Sequence, residues 1–139
     1  WEYYGSIEQH QRNREKALEQ FIRAYRTDEQ KKARYVCGML PNLPFADDQF
    51  ALVLGSHFLF LYHEQFDETF HLEAIQEMLR VCKPAGQIRL YPLIGLDRKP
   101  YAGMGKLLAH IEGQGHEARL QPTGFRFWAG ATHYLQIKK

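Results

Sequence analysis

The chain has 139 residues, of which 45% are hydrophobic and 14% aromatic, enough apolar material for a folded domain and too much for a disordered one. Eighteen basic residues stand against sixteen acidic ones, for a net charge of +2, and the basic residues form no block, so nucleic acid is not demanded as a partner. Two cysteines, Cys37 and Cys82, lie far apart without a CxxC pair, which fits free thiols in a reducing compartment rather than a disulfide framework.

In chain order, Ser6-Ile7-Glu8-Gln9 fits a capping box, and Ala17, Leu18, Phe21, Ile22 and Tyr25 recur on one helical face, predicting a helix from about Ser6 to Arg26. Thr27 to Lys32 reads as a loop or a frayed helix end. Tyr35-Val36-Cys37 reads as a short buried strand, after which Pro41 and Pro44 forbid regular structure. Phe50 to Gly55 carries Leu52, Val53 and Leu54 without alternation, as a strand covered on both faces does. Asp67 is placed to cap a second helix with the stripe Phe70, Ala74, Ile75, Met78, Leu79 and Cys82, stopped by Pro84 and Gly86. Gln87 to Leu93 reads as a strand. Met104, Leu107, Leu108 and Ile111 mark a third helix with Gly113 as its terminator. Glu117 to Gln121 and Tyr134 to Lys138 read as a final antiparallel hairpin. The order implies an α/β sandwich on a mostly parallel sheet, in one domain over residues 1–139.

Two blocks carry a resemblance. Leu40-Pro41-Asn42-Leu43-Pro44-Phe45-Ala46-Asp47-Asp48-Gln49-Phe50 leads into an apolar strand, and Leu79-Arg80-Val81-Cys82-Lys83-Pro84-Ala85-Gly86 leads into the next. In this order and spacing they resemble the middle of a class I S-adenosylmethionine-dependent methyltransferase. The resemblance implies a Rossmann-like three-layer sandwich, truncated at its N-terminus, in which Tyr35 to Gly38, Phe50 to Gly55 and Gln87 to Leu93 correspond to strands three, four and five. The C-terminal pair corresponds to strands six and seven. The glycine-rich strand-turn-helix that grips the cofactor in such enzymes has no counterpart.

The same resemblance places Met39 and Leu40 beside the adenine, although Met39 stands where the family has an Asp. It places Gly55, Ser56, His57 and Phe58 beside the methionine part of the cofactor and the substrate. Tyr62 and His63 are the substrate-side candidates. Ligands of open parallel sheets bind at the carboxyl ends of strands, so the strand reading points to the same place. With the glycine loop missing, S-adenosylmethionine is the expected cofactor, and its binding to this chain by itself is expected to be weak or absent. Methyl transfer relies on alignment of donor and nucleophile and requires no catalytic triad, so no catalytic residue is named.

Each candidate has a plainer explanation. His57 is either a base or cofactor contact, or a histidine closing a strand with one hydrogen bond. Tyr62 and His63 suit a solvated turn equally well. His57, His63 and His71 lack ligand spacing, so no metal site is expected. Gly103-Met104-Gly105-Lys106 imitates a phosphate loop but lacks the Ser or Thr after Lys106. Asp47 and Asp48 suit a turn, and Phe125, Phe127 and Trp128 suit packing or an oligomer contact.

Three functions follow: part of a methyltransferase, a non-catalytic methyltransferase-like module for protein interaction or regulation, or another nucleotide-binding α/β protein. The run from Phe50 to Tyr62 is too short and polar to span a bilayer, and with no signal peptide visible the expected location is cytoplasmic, with no membrane partner. A first residue of Trp1 points to a piece of a longer or processed chain. Without strand one, Phe50 to Gly55 is expected to lose its neighbour and to pair either with Tyr35 to Gly38 of the same chain or with a second copy, and a homodimer or an exchanged-segment dimer is the expected outcome.

Overall fold

The computed structural model describes residues 5–28, 34–126 and 128–139. It divides into two compact units, Trp1–Cys37 and Gly38–Lys139.

In the first unit, α1 spans Ile7–Asp28. Ser6 caps it as expected, its Oγ accepting the Gln9 N–H at 3.1 Å. The stripe of Leu18, Phe21, Ile22 and Tyr25 is largely exposed. The expected strand at Tyr35 to Gly38 does not form. Arg34 and Tyr35 turn their N–H groups to the buried Asp28 carboxylate, at 2.8 and 3.0 Å, and the Tyr35 ring packs on Phe21 and Tyr25. Val36 and Cys37 are exposed. A local helix-end contact has taken the donors at the start of this segment, which carries no ladder pairing.

The second unit contains β1 (Phe50–Ser56), α2 (Glu68–Val81), β2 (Cys82–Tyr91), α3 (Met104–Gly113), β3 (Glu117–Pro122) and β4 (His133–Lys138). They build an open α/β sheet of order β1-β2-β4-β3. β1 and β2 are parallel, while β2–β4 and β3–β4 are antiparallel, so the parallel share is smaller than the sequence implied and the C-terminal hairpin is as expected. One face carries Val53, Ile88, Leu90, Leu135, Ile137 and Ala118. It packs against Ala74, Ile75 and Met78 of α2 and Leu107 and Ile111 of α3.

β1 is not buried on both faces. It lies at the sheet edge, and Leu52 and Leu54 point away from the two helices, with Leu54 65% exposed. An unalternated apolar run therefore reports composition here, not double burial.

Local chemistry sets the helix ends. Asp67 Oδ1 accepts the Phe70 N–H at 2.7 Å at the start of α2. α3 runs through Gly113 and is closed by Gly115 instead. Gly115, at φ +88°, donates to the Glu112 carbonyl at 2.9 Å, and His116 donates to the Ile111 carbonyl at 3.3 Å. This pair of bonds is a Schellman motif, and it needs the left-handed residue two positions later than Gly113. α2 ends at Val81, so Cys82, expected in its stripe, instead opens β2, and Lys83-Pro84-Ala85-Gly86 forms an irregularity at the start of that strand, where Leu52 already pairs with Gln87. A Cβ at Gly86 would stand 2.8 Å from the Lys83 carbonyl oxygen and 3.1 Å from that of Ala51, so only glycine fits.

Candidate functional site

Because β1 and β2 are parallel and Leu90 pairs with Leu135, the ends of β1, β2 and β3 and the start of β4 lie at one side of the sheet. The segments after β1 and β2 and the loop joining β3 to β4 gather there. The Tyr91 hydroxyl ties them by donating toward the Phe125 and Ala131 carbonyls, at 3.4 and 3.3 Å. Arg98 stacks over Trp128, its guanidinium 5.9 Å from the ring centre. Phe127 lies outside the described residues. An apolar cavity of about 280 Å³ opens between Leu93, Ile94 and Pro100 on one side and Leu120, Ala131 and Thr132 on the other.

Gly55, Ser56 and His57 come together at the end of β1. Gly55 sits opposite Leu90, so close that a side chain there would meet it. His57 occupies the left-handed region at φ +56°, uncommon for a residue with a Cβ and most often met where surroundings hold it in place. Its N–H donates to the Tyr91 carbonyl at 2.7 Å, and Nδ1 lies 2.6 Å from the Ser56 hydroxyl. The Tyr91 and Phe125 rings meet the imidazole edge-on, at 5.7 and 6.3 Å between centres.

His63, in the turn after β1, reaches the loop after β2. Its Nε2 lies 3.3 Å from Asp97 Oδ1, and the two side chains are 15% and 16% exposed. The ring lies directly over Gly95, where a Cβ would overlap both the imidazole and the Asp97 carboxylate. Asp97 Oδ1 also accepts the Lys99 N–H at 3.0 Å, and Lys99 Nζ stands 3.6 Å from Oδ2. That backbone hydrogen bond, aided by His63 and the Lys99 charge, holds the Asp97 carboxyl below the usual range despite partial burial. Tyr101 flanks His63 at 5.9 Å and stacks on His71 at 4.4 Å. Burial, with Glu68 and Asp67 adding to it, pushes the Tyr101 phenol up. Tyr62 is half-buried, its N–H donating to the Phe58 carbonyl at 3.2 Å.

Met39 and Leu40 are held elsewhere. Asn42 closes a turn onto the Met39 carbonyl at 2.9 Å, and Leu43 donates to Glu77 Oε1 at 2.7 Å. Arg80 binds Glu77 and Asp47 and donates to the Phe45 and Leu43 carbonyls. The proline-rich segment is thus fastened to the last turns of α2, which lead to the amino end of β2. Met39 is 79% exposed, and Leu40 packs on the core. The structure therefore joins Gly55, Ser56 and His57, brings His63 to Asp97, and sets Met39 and Leu40 apart.

The other motifs have structural explanations. Asp47 pairs with Arg80 and Asp48 with Lys139, each at 2.6 Å. Lys106 is neutralised by Glu68 at 3.1 Å. His71 is fully buried, its Nδ1 2.7 Å from the Asp67 carbonyl oxygen and its ring stacked between Phe60 and Tyr101. Among the described residues, no group of three or more His, Cys, Asp or Glu side chains is placed to hold a metal ion. No described helix is long and apolar enough to cross a membrane. Sequence reasoning missed Tyr91, Gly95 and Asp97. Tyr91 only ends an apolar strand, and Asp97 lies 34 residues from His63 with no motif joining them.

The chain is 30% identical over all its 139 residues to the uncharacterized protein MJ0045 of Methanocaldococcus jannaschii, of which it spans 58%. Among solved structures it is similar to a SAM-dependent methyltransferase from Methanosarcina mazei, at TM-score 0.48 and 15% identity, covering 71% of this chain and 63% of that one. It is also similar to a SAM-dependent methyltransferase from Aquifex aeolicus, at TM-score 0.47 and 16% identity, covering 83% and 60%. A family model described as a methyltransferase domain matches residues 9–90, from α1 through nearly all of β2 and over more than half of the chain. The match takes in both sequence blocks and the parallel pair whose carboxyl ends gather the polar side chains, and the chain belongs to the methyltransferase domain family.

Proposed function

We propose that this domain serves methyl transfer from S-adenosylmethionine to an acceptor, with the methionine end of the cofactor over the carboxyl ends of β1 and β2. The observation that carries the proposal is His57, held at positive φ at the end of β1 between Ser56, Tyr91 and Phe125. The residues fit that end of the cofactor. Aromatic rings tolerate a nearby sulfonium cation, and the turn at Ser56 and His57 offers short polar groups. When bound, the cofactor supplies an electrophilic methyl group. The protein's share is then to align the acceptor, exclude water and remove a proton where the acceptor carries one. Met39 and Leu40 are set apart from this end of the sheet, so no adenine contact is proposed for them and affinity in this chain by itself is weak.

Amide NMR with S-adenosylmethionine at about 1–5 mM tests this, since a ligand held by only about −4 kcal/mol is detected in that range. Shifts are expected at Gly55, Ser56, His57 and Tyr91. Their absence at the top of the titration refutes a cofactor site at this end of the sheet. A second reading, a non-catalytic interaction module, is favoured by one observation: the β1 edge with Leu52 and Leu54 exposed beside it. On that reading the occupant is a second copy of the chain.

A further inference from the structure

We propose that His63, oriented by Asp97, removes the proton from the methyl acceptor, so that the acceptor reacts through an O–H or N–H group; this rests on the methyltransferase reading above. The Nε2–H of His63 faces Asp97 Oδ1 at 3.3 Å, and in the neutral ring the lone pair then belongs to Nδ1. Asp97 is fixed in turn by the Lys99 N–H and ammonium, so the carboxylate cannot swing away without losing both. Gly95 lets the imidazole lie directly on the backbone, which limits its freedom. The pair joins the segment after β1 to the loop after β2, on the same side of the sheet as Ser56 and His57. A part-buried imidazole aligned by a carboxylate is how proteins hold a base in one tautomer. The titratable groups around it are Asp97, Lys99 and Tyr101 from the loop after β2, His71 across the Tyr101 ring, and Tyr62 and Glu64 on its own turn.

In the step, the acceptor's lone pair forms a bond to the methyl carbon as the methyl–sulfur bond breaks. That bond's electron pair stays on sulfur as a neutral thioether. The acceptor's proton passes to Nδ1 of His63, and the Asp97 carboxylate balances the imidazolium. His63 is then the catalytic residue and Asp97 the positioning residue.

The test uses His63→Gln, because glutamine can still donate an N–H to Asp97 but cannot accept a proton. Methyl transfer from S-adenosylmethionine to catechol, serinol and benzylamine, representing a phenol, an alcohol and an amine, is read by mass spectrometry as S-adenosylhomocysteine formed. The wild-type rate is expected to rise with pH to a plateau. His63→Gln is expected to lose about 10²–10⁴-fold and to lose the plateau. Added imidazole is expected to restore part of the rate in His63→Ala. The cofactor-induced NMR shifts and the melting temperature of His63→Gln are expected to match the wild type. If His63→Gln keeps its rate and pH profile, the pair is a structural staple and the assignment is wrong. If the cofactor binds but none of the three acceptors is methylated, the acceptor class is wrong. If the cofactor shifts nothing, the methyltransferase reading fails first.

Discussion

Replacing Gly55 by alanine separates packing from ligand contact at the end of β1. Gly55 lies opposite Leu90 in the parallel pair, on the face covered by α2. A Cβ built at Gly55 stands 2.5 Å from Leu90 Cδ2 and 3.8 Å from Met78 Cε. An ordinary carbon–carbon contact is near 3.8 Å, roughly 1 Å farther than the Leu90 methyl allows. Leu90 is 1% exposed and walled by Ile88, Leu135 and Ile75, so it must leave its rotamer or push the strand outward. Overpacking of this kind costs about 1–3 kcal/mol, offset by about 0.5–1 kcal/mol because alanine restricts the unfolded chain. The net loss of about 1–2 kcal/mol lowers the melting temperature by roughly 3–10 °C for a chain of this size. Urea unfolding followed by circular dichroism measures it, with an unchanged slope showing that the unfolded state is the same. The decisive variant is Gly55→Ala with Leu90→Ala. Leu90→Ala by itself costs about 2–5 kcal/mol, but it removes the methyl that blocks the new Cβ. The double variant should be more stable than the sum of the singles by about 1 kcal/mol or more. Additivity within about 0.5 kcal/mol, or a stabilised Gly55→Ala, refutes the packing argument and leaves the glycine to the cofactor.

Glu77 should carry part of the acid sensitivity of the fold. Arg80 chiefly, with the Leu43 N–H, holds its carboxyl below the ordinary 4.5 in spite of burial. A carboxyl lowered on folding stabilises above its unfolded pKa and loses that contribution as pH falls through the lower folded value, so the effect fades below about pH 4.5. Glu77→Gln should be less stable than the wild type near neutrality and show a shallower acid limb in urea midpoints taken from about pH 7 to about pH 3. Parallel curves for the two proteins would contradict the linkage. For the β1 edge, light scattering should find a dimer at micromolar concentration, and Leu54→Lys should shift it toward monomer. A 16.3 kDa wild-type species at every concentration sinks the proposal.

Short-range chemistry was legible in the residues themselves. Ser6 and Asp67 cap their helices because a side-chain oxygen needs only an N–H three residues on. The C-terminal hairpin follows from two apolar segments joined by a moderate loop. The two sequence blocks pointed to the methyltransferase family because a proline-rich turn, a strand and a helix stop recur in fixed order, and the match over residues 9–90 bears this out. What the sequence missed depended on partners far along the chain. Tyr35 to Gly38 is apolar enough for a strand, yet the Asp28 carboxylate takes the N–H groups of Arg34 and Tyr35. Leu52 and Leu54 look like core residues, yet only the other face of the sheet is covered by α2 and α3. His63 alone was a turn histidine. Tertiary structure decided that Asp97 meets it, because the turn after β1 and the loop after β2 converge only once the parallel strands have paired.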